Sequence, residues 1–229
     1  MSLVIPPGKA TGLLPRRSRP GTVCAMFRDE IEIIPRADWG DLIPHQAGLR
    51  PHVHHVFDQD GEGSCAAESA TGALQIIRSV SGQPFVKLNP WSVYAYTKIG
   101  GGGSAIDDNL VHLRQHGAAP MELWPRSRGV RRLPDDVAEV ALQYRLDEFF
   151  ELDSAEEAGT ALLKGFAVVF GWQGHSCCFT RLLSAGGTCE YLNSWHESWG
   201  EGGFGTLNLS SVYWGYGMFA YRTPIEFNT

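Results

Sequence analysis

The sequence predicts an α+β fold in which a helical first half and a strand-rich second half form two lobes that share a cleft. Apolar residues recur at helical spacing in the first half, whereas the second half consists of short apolar or alternating runs separated by glycine. The 229 residues, 43% of them hydrophobic, are enough to bury the core of one such domain.

The N-terminal stretch differs from the rest of the chain. Residues 1–33 are rich in Pro, Gly and Arg and show little periodicity, which predicts an extended or wrapping arm. Within it, only residues 30–33 alternate polar and apolar side chains, enough for one short strand. The main domain is expected over residues 34–229, with a helical lobe at about 59–133 and a β-rich lobe at about 140–229.

The clearest helical segment opens at Cys65. Its apolar residues keep helical spacing as far as Ile77, Ser64 is typical of an N-cap and Gly82 is typical of a helix end. Further helices are predicted to begin at Pro90, at the capping-box-like pair Ser104 and Asp107, at Pro134, and at the capping box Ser154 and Glu157.

The second half of the sequence predicts strands. They are expected within residues 144–152 and at residues 166–170, 176–183, 188–192, 204–209 and 218–222. Since these strands follow the helices, the layout is α+β with two lobes.

Composition excludes several classes of function. The net charge of −6 argues against a nucleic-acid binder, and no apolar run is long enough to span a membrane. The five cysteines are odd in number and lack paired spacing, which favours free thiols in a reducing, cytoplasmic compartment. The N-terminus lacks the charged and apolar regions of a signal peptide.

Four histidines lie close together at positions 45, 52, 54 and 55. Because no Cys or acidic residue stands near them at ligand spacing, they are interpreted as surface or packing residues, and no metal or other cofactor is expected. A monomer is expected.

Cys65 is the first candidate for chemistry. Backbone N–H groups at a helix N-terminus favour a negative charge, so this position suits a nucleophilic thiolate. A free cysteine is also commonly a small buried hydrophobe, and Cys65 alone does not decide between these interpretations.

A nucleophilic Cys65 needs a base, a group that orients the base and an oxyanion donor. His175 begins one predicted strand and Asn193 ends the next, so neighbouring antiparallel strands would bring the Asn193 oxygen to one imidazole nitrogen and leave the other for Cys65. Gln59, six positions before Cys65, can direct its amide N–H at a developing oxyanion.

These residues resemble the papain-like cysteine peptidases. The spacing of Gln59 and Cys65 and the Gly-Ser-Cys sequence at 63–65 match the family's oxyanion and nucleophile motif. Residues 193–204, which begin Asn-Ser-Trp, resemble the family's longest motif, and the resemblance spans about residues 34–222. Glu62 stands where secreted members carry a disulfide cysteine, which agrees with an intracellular setting.

The resemblance implies a papain-like fold, with a helical lobe facing a β-barrel-like lobe and the active site between them. It implies a protein or peptide substrate, an acyl-enzyme intermediate and a Cys65–His175–Asn193 triad with Gln59 as oxyanion donor. It places substrate near Gly102, Gly103, Gly174 and Trp195, with Trp195 on the leaving-group side. Residues 1–33 are too short for the family's helical inhibitory propeptide, so this protein must be kept inactive in another way. Because residues 14–17 form an accessible basic stretch, we expect residues 1–33 to act as a short pro-arm that lies across the cleft.

Two other functions remain open at this stage. The same residues could cleave isopeptide or cell-wall amide bonds or transfer an amide, and the fold could serve as a catalytically silent binding scaffold.

Overall fold

The computed structural model describes residues 3–124 and 132–221. Within these residues the α-helices are α1 (Phe27–Glu30), α2 (Trp39–Leu42), α3 (Cys65–Val80), α4 (Pro90–Thr97), α5 (Ile106–His116), α6 (Asp135–Ala141) and α7 (Ala155–Leu163). The strands are β1 (Phe149–Leu152), β2 (Ala167–Trp172), β3 (His175–Leu182), β4 (Thr188–Leu192), β5 (Phe204–Asn208) and β6 (Met218–Tyr221). Position 222, predicted to end the last strand, lies outside the described residues.

The strands form one antiparallel sheet in the order β1-β6-β2-β3-β4-β5. The expectation of a barrel-like lobe is wrong in this respect, because the sheet is open and ends at β1 and β5. The N-terminal arm covers the free edge of β1, where the Glu151 N–H donates to the Ala25 carbonyl at 3.0 Å. An edge strand covered in this way is protected from pairing with other chains.

Helix α3 forms the centre of the helical lobe. The residues from Cys65 to Ile77 are all buried, and many of them are alanines, whose small side chains let α4, α5 and the sheet pack close around the helix. The opposite face of the sheet packs against α7 and against the rings of Phe27 and Trp39. The sheet therefore separates two apolar cores, with α3 against one face.

Two predicted N-caps are wrong. The Ser64 hydroxyl does not cap α3 and instead donates to Glu68 Oε1 at 3.1 Å. The Ser104 hydroxyl does not cap α5, whose N-cap is Ala105, and it accepts from Asn109 Nδ2 at 2.9 Å. In both places the hydroxyl forms its hydrogen bond with a side chain of the helix and not with a backbone N–H at the helix start.

Other predicted helix starts are confirmed. Pro90 is the first residue of α4, and the Glu157 N–H donates to the Ser154 hydroxyl at 3.1 Å at the start of α7. The predicted strand at 30–33 is wrong, because the arm meets the edge of β1 at Ala25 and Met26, and Ile31 and Ile33 pack as half-buried side chains. No helix among the described residues combines the length and hydrophobicity needed to cross a bilayer.

Candidate active site

Cys65 is the first residue of α3 and is completely buried. The nearby backbone N–H groups of Ser176, Gly12 and Ala66 act to lower the pKa of its thiol. Burial nevertheless raises the pKa of the thiol to about 11, because desolvation outweighs these three donors. The sequence predicted a thiolate here, and in this arrangement the thiol is neutral instead.

The predicted base and its orienting residue lie together. His175 opens β3 after a tight turn in which Gln173 and Gly174 both have positive φ angles, as a two-residue hairpin requires. Asn193 follows β4, which pairs with β3, and the His175 Nε2 atom lies 2.7 Å from Asn193 Oδ1. The two strand ends therefore meet as the sequence predicted.

The hydrogen bonds of Asn193 fix the tautomer of the imidazole. Oδ1 also accepts the Ser194 N–H at 2.8 Å, so this oxygen is an acceptor and His175 Nε2 carries the proton. The other ring nitrogen, Nδ1, is buried and has no hydrogen-bond partner among the described residues. Burial lowers the pKa of His175 to about 4, although the bond to Asn193 acts in the opposite direction, so the ring is neutral with a free electron pair at Nδ1.

Contacts between α3 and β3 bring the start of β3 against the first turns of α3. The hydroxyls of Ser69 and Ser176 lie 2.6 Å apart, and the backbone N–H of Ser176, the residue after His175, acts to lower the pKa of Cys65. Trp195 stacks on the imidazole with a centroid distance of 4.5 Å and covers it, as predicted. Cys177 lies beneath the site, with its sulfur 3.6 Å from Asn193 Oδ1.

Gln59 is buried beside Cys65, and its amide is held in one orientation. Its Oε1 accepts the Ser194 hydroxyl at 2.7 Å, while Nε2 donates to the carbonyls of Glu62 at 2.6 Å and Ala10 at 3.1 Å. The amide nitrogen therefore bonds both to its own loop, at Glu62, and to the arm, at Ala10. Sequence reasoning missed Ser194 as the residue that sets this orientation.

The arm lies across the site. The Ala10 carbonyl accepts from Gln59 Nε2 and also from Trp195 Nε1 at 3.3 Å, and the Gly12 backbone N–H is close enough to Cys65 to lower the pKa of its thiol. A Cβ on Gly12 would lie only 2.3 Å from the Gly63 Cα, so only glycine allows this approach.

Three of the residues expected to face substrate, Gly103, Gly174 and Trp195, contact the arm. The Gly174 carbonyl accepts from the N–H groups of Gly12 and Leu13 at 3.2 and 2.9 Å. Gly103 lies against Gly12, but the backbone bonds of the arm go to Ser104, which sequence reasoning missed. Gly102 donates its N–H to the Ile99 carbonyl.

Ion pairs hold the arm on either side of Cys65. Lys9 pairs with Asp58, which precedes Gln59, and Arg16 pairs with Glu151 in β1. Beyond Arg16, the N–H groups of Arg17 and Ser18 donate to Asp107 Oδ2 at 3.0 and 2.7 Å. The Leu13 side chain is buried against Gly171.

The remaining cysteines have no part in this arrangement apart from Cys177. All five cysteines are free thiols, and Cys177 and Cys178 point to opposite faces of the sheet, as strand alternation predicted, with Cys178 in the core that contains Cys65. In residues 3–124 and 132–221, the His, Cys, Asp and Glu side chains form no group of three or more that could hold a metal ion.

Comparison with known proteins identifies the fold. No protein-family profile matches the chain, and no curated protein matches its sequence. Solved structures do match: xylellain, a cysteine protease from Xylella fastidiosa, has 17% identity and a TM-score of 0.73 over 96% of this chain and 99% of its own. Digestive procathepsin L 3 of Tenebrio molitor has 13% identity and a TM-score of 0.68 over 90% and 76% of the two chains.

A third match is the Carica candamarcensis cysteine protease CMS1MS2, solved in complex with E-64. It has 18% identity and a TM-score of 0.55, over 76% of this chain and 95% of its own. All three matches are described as cysteine proteases. At these identities the likeness concerns the fold, and this chain has the papain-like cysteine protease fold.

Proposed function

We propose that this protein hydrolyses peptide bonds with Cys65 as nucleophile and His175 as general base and acid. The observation that carries the proposal is the state of His175. Its Nε2–H is bound to Asn193 Oδ1, and its buried Nδ1, which has no hydrogen-bond partner among the described residues, is left as an acceptor for the Cys65 proton.

In the proposed reaction the Cys65 proton passes to His175 Nδ1, and the sulfur attacks the substrate carbonyl carbon. The oxyanion that forms accepts from Gln59 Nε2, which the arm's Ala10 carbonyl now occupies. The C–N bond breaks and Nδ1 returns the proton to the departing amine. Water then attacks the thioester with Nδ1 as base and releases the acid and the thiol.

The most direct test replaces the nucleophile. We expect Cys65→Ala to lower the hydrolysis of a peptide substrate by at least about 10⁴-fold, as removal of a catalytic nucleophile does. Cys177→Ala is the matched control, since Cys177 is a buried cysteine beneath the same site, and it should retain most of the activity. Equal hydrolysis by Cys65→Ala and the unaltered protein would refute the proposal.

We further propose that the arm holds most of the protein in a closed, inactive form, so that only a fraction is open at any time. It fills the cleft over Cys65 and takes the Gln59 donor, and it excludes water from the reacting pair. With the thiol pKa raised to about 11 and the imidazole pKa lowered to about 4, neither group is charged at neutral pH, so the reactive ion pair does not form beneath the arm.

The direction of the arm explains why it is not itself a substrate. Along the chain it passes first Trp195, on the expected leaving-group side, and then Ser104, next to the glycines on the other side of Cys65. A substrate runs the other way, because the acyl part of a peptide bond precedes its leaving amine. The arm therefore fills the cleft in the reverse direction.

A further inference from the structure

Asp58 lies on the leaving-group side of the cleft, directly before Gln59. Its backbone pairs with Trp195 in an isolated antiparallel bridge, so the position of Asp58 is fixed relative to the residues that surround the reacting bond. The Asp60 N–H donates to Asp58 Oδ1 at 3.0 Å and orients the carboxylate. Sequence reasoning gave Asp58 no role.

A lysine side chain occupies this position in the closed protein. The Lys9 ammonium lies 2.6 Å from Oδ1 and 2.7 Å from Oδ2 of Asp58, with both side chains mostly buried. The next residue of the arm, Ala10, gives its carbonyl to Gln59 and Trp195. Lys9 is therefore the residue directly before Ala10, whose carbonyl accepts from the oxyanion donor Gln59.

The surroundings leave room for a longer side chain of a substrate. Asp58 borders a cavity of about 220 Å³ with the apolar side chains of Trp91 and Met121 in its wall. Such a cavity can accept the methylene stem of a lysine or arginine while the carboxylate binds the charged end.

The other charged and titratable groups that line this cavity do not cancel its preference for a positively charged side chain. Glu68 adds a second, buried carboxylate, whereas Lys87 is exposed to solvent, where its charge is screened. Burial, followed by the neighbouring Lys87 charge, lowers the pKa of His55 to about 4, so that ring is neutral. His196 completes the set of titratable groups that line the cavity.

We propose that Asp58 is a specificity residue that binds a lysine or arginine of the substrate within the first two residues after the scissile bond, in the place that Lys9 occupies in the closed protein. The inference rests on the proposed peptidase function. In the closed protein, Lys9 therefore takes the place of the substrate side chain, although the arm that carries it runs in the opposite direction to a substrate.

The test compares two substrates in one protein sample. Peptides that carry Lys or Gln at the first or second residue after the scissile bond are assayed, and the ratio of their kcat/KM values is taken. Because both substrates meet the same fraction of open enzyme, this ratio does not depend on the arm. We expect a ratio of about ten in the unaltered protein, as befits a charge-assisted contact at a partly exposed site.

Two variants separate the role towards substrate from the role towards the arm. Asp58→Asn and Lys9→Ala both break the arm's ion pair, so both should raise total activity. The Lys-to-Gln ratio should fall to about one in Asp58→Asn and stay near ten in Lys9→Ala.

Two outcomes overturn the inference. If the ratio is near one in the unaltered protein, or is unchanged by Asp58→Asn, Asp58 serves only the arm, and the proposed hydrolysis still stands. If neither peptide is cleaved by any form of the protein, the proposed function fails and the subsite fails with it.

Discussion

The reaction centre and the arm that covers it are held in place by different kinds of contact. Cys65, His175 and Asn193 stand at the ends of regular elements whose hydrogen bonds and buried side chains belong to the core. The arm between Lys9 and Arg16 has no helix, and it is held by single backbone bonds, glycine contacts and ion pairs.

This difference indicates that separate parts of the molecule close the cleft and position the catalytic residues. The hydrogen bonds that place His175 and Asn193 lie within the sheet region and involve no residue of the arm. The arm can therefore leave the cleft without disturbing the hydrogen bonds that position His175. When it leaves, water enters a site whose residues are already in place. Protein segments held by few buried contacts are the ones that open most readily.

After the loss of Cys65 itself, the largest effect is expected from Gln59, which belongs to both regions. Gln59→Ala removes the oxyanion donor and should lower kcat by about 10²- to 10³-fold with little change in KM. Steady-state kinetics on one peptide substrate would measure this.

Ser194→Ala is the graded control for Gln59, because it removes only the bond that orients the amide. A loss of about tenfold is expected for this variant. If Gln59→Ala kept full kcat, the assignment of Gln59 as oxyanion donor would be wrong.

A smaller effect, the loss of local stability in acid, should distinguish the arm from the reaction centre. Burial tends to raise the pKa of Asp58, but the bonds from Lys9 and the Asp60 N–H outweigh it and hold the pKa below its ordinary value of 3.8. A carboxyl whose pKa is lowered by closure stabilises the closed state above its ordinary pKa, and this contribution is lost as the pH falls through the lowered value. The arm should therefore loosen in acid.

Hydrogen exchange, expressed as protection factors, measures this loosening. Between about pH 5 and about pH 3, protection of the Gly12, Leu13 and Leu14 amides should fall more than that of the β3 and β4 amides. In Asp58→Asn the arm should be less protected at both pH values and show a smaller change. Parallel loss of protection in arm and sheet in the unaltered protein would contradict the distinction.

The contrast between the reaction centre and the arm also explains which parts of the structure could be predicted from the sequence. Helix periodicity and strand alternation are local signals, and they predicted α3, α4, α7 and most strands. The motifs at Gln59, Cys65, His175 and Asn193 have fixed spacings, so these residues could be named before the fold was known.

What the sequence did not reveal depends on distant partners. Lys9 meets Asp58 and Arg16 meets Glu151 across long stretches of chain, and no periodicity marks either pair. The hydroxyls of Ser64 and Ser104 have the right type and place for capping, but Glu68 and Asn109 take them. The raised pKa of Cys65 follows from burial beneath the arm, which reverses the tendency of a helix N-terminus to favour thiolate.

The reactivity of Cys65 towards iodoacetamide, located by peptide mapping, tests the central claim most directly. Gly12→Ala should lift the arm, since the added Cβ meets the Gly63 backbone. Gly40→Ala in α2 serves as the control, because its added Cβ meets no atom within 4 Å and Gly40 has no positive φ. We predict that Cys65 reacts slowly in the unaltered protein and in Gly40→Ala. In Gly12→Ala it should react at least about tenfold faster, and faster than the thiols of the denatured chain, because an uncovered Cys65 can form the ion pair with His175. Equal labelling of Cys65 in all three folded proteins would contradict the account.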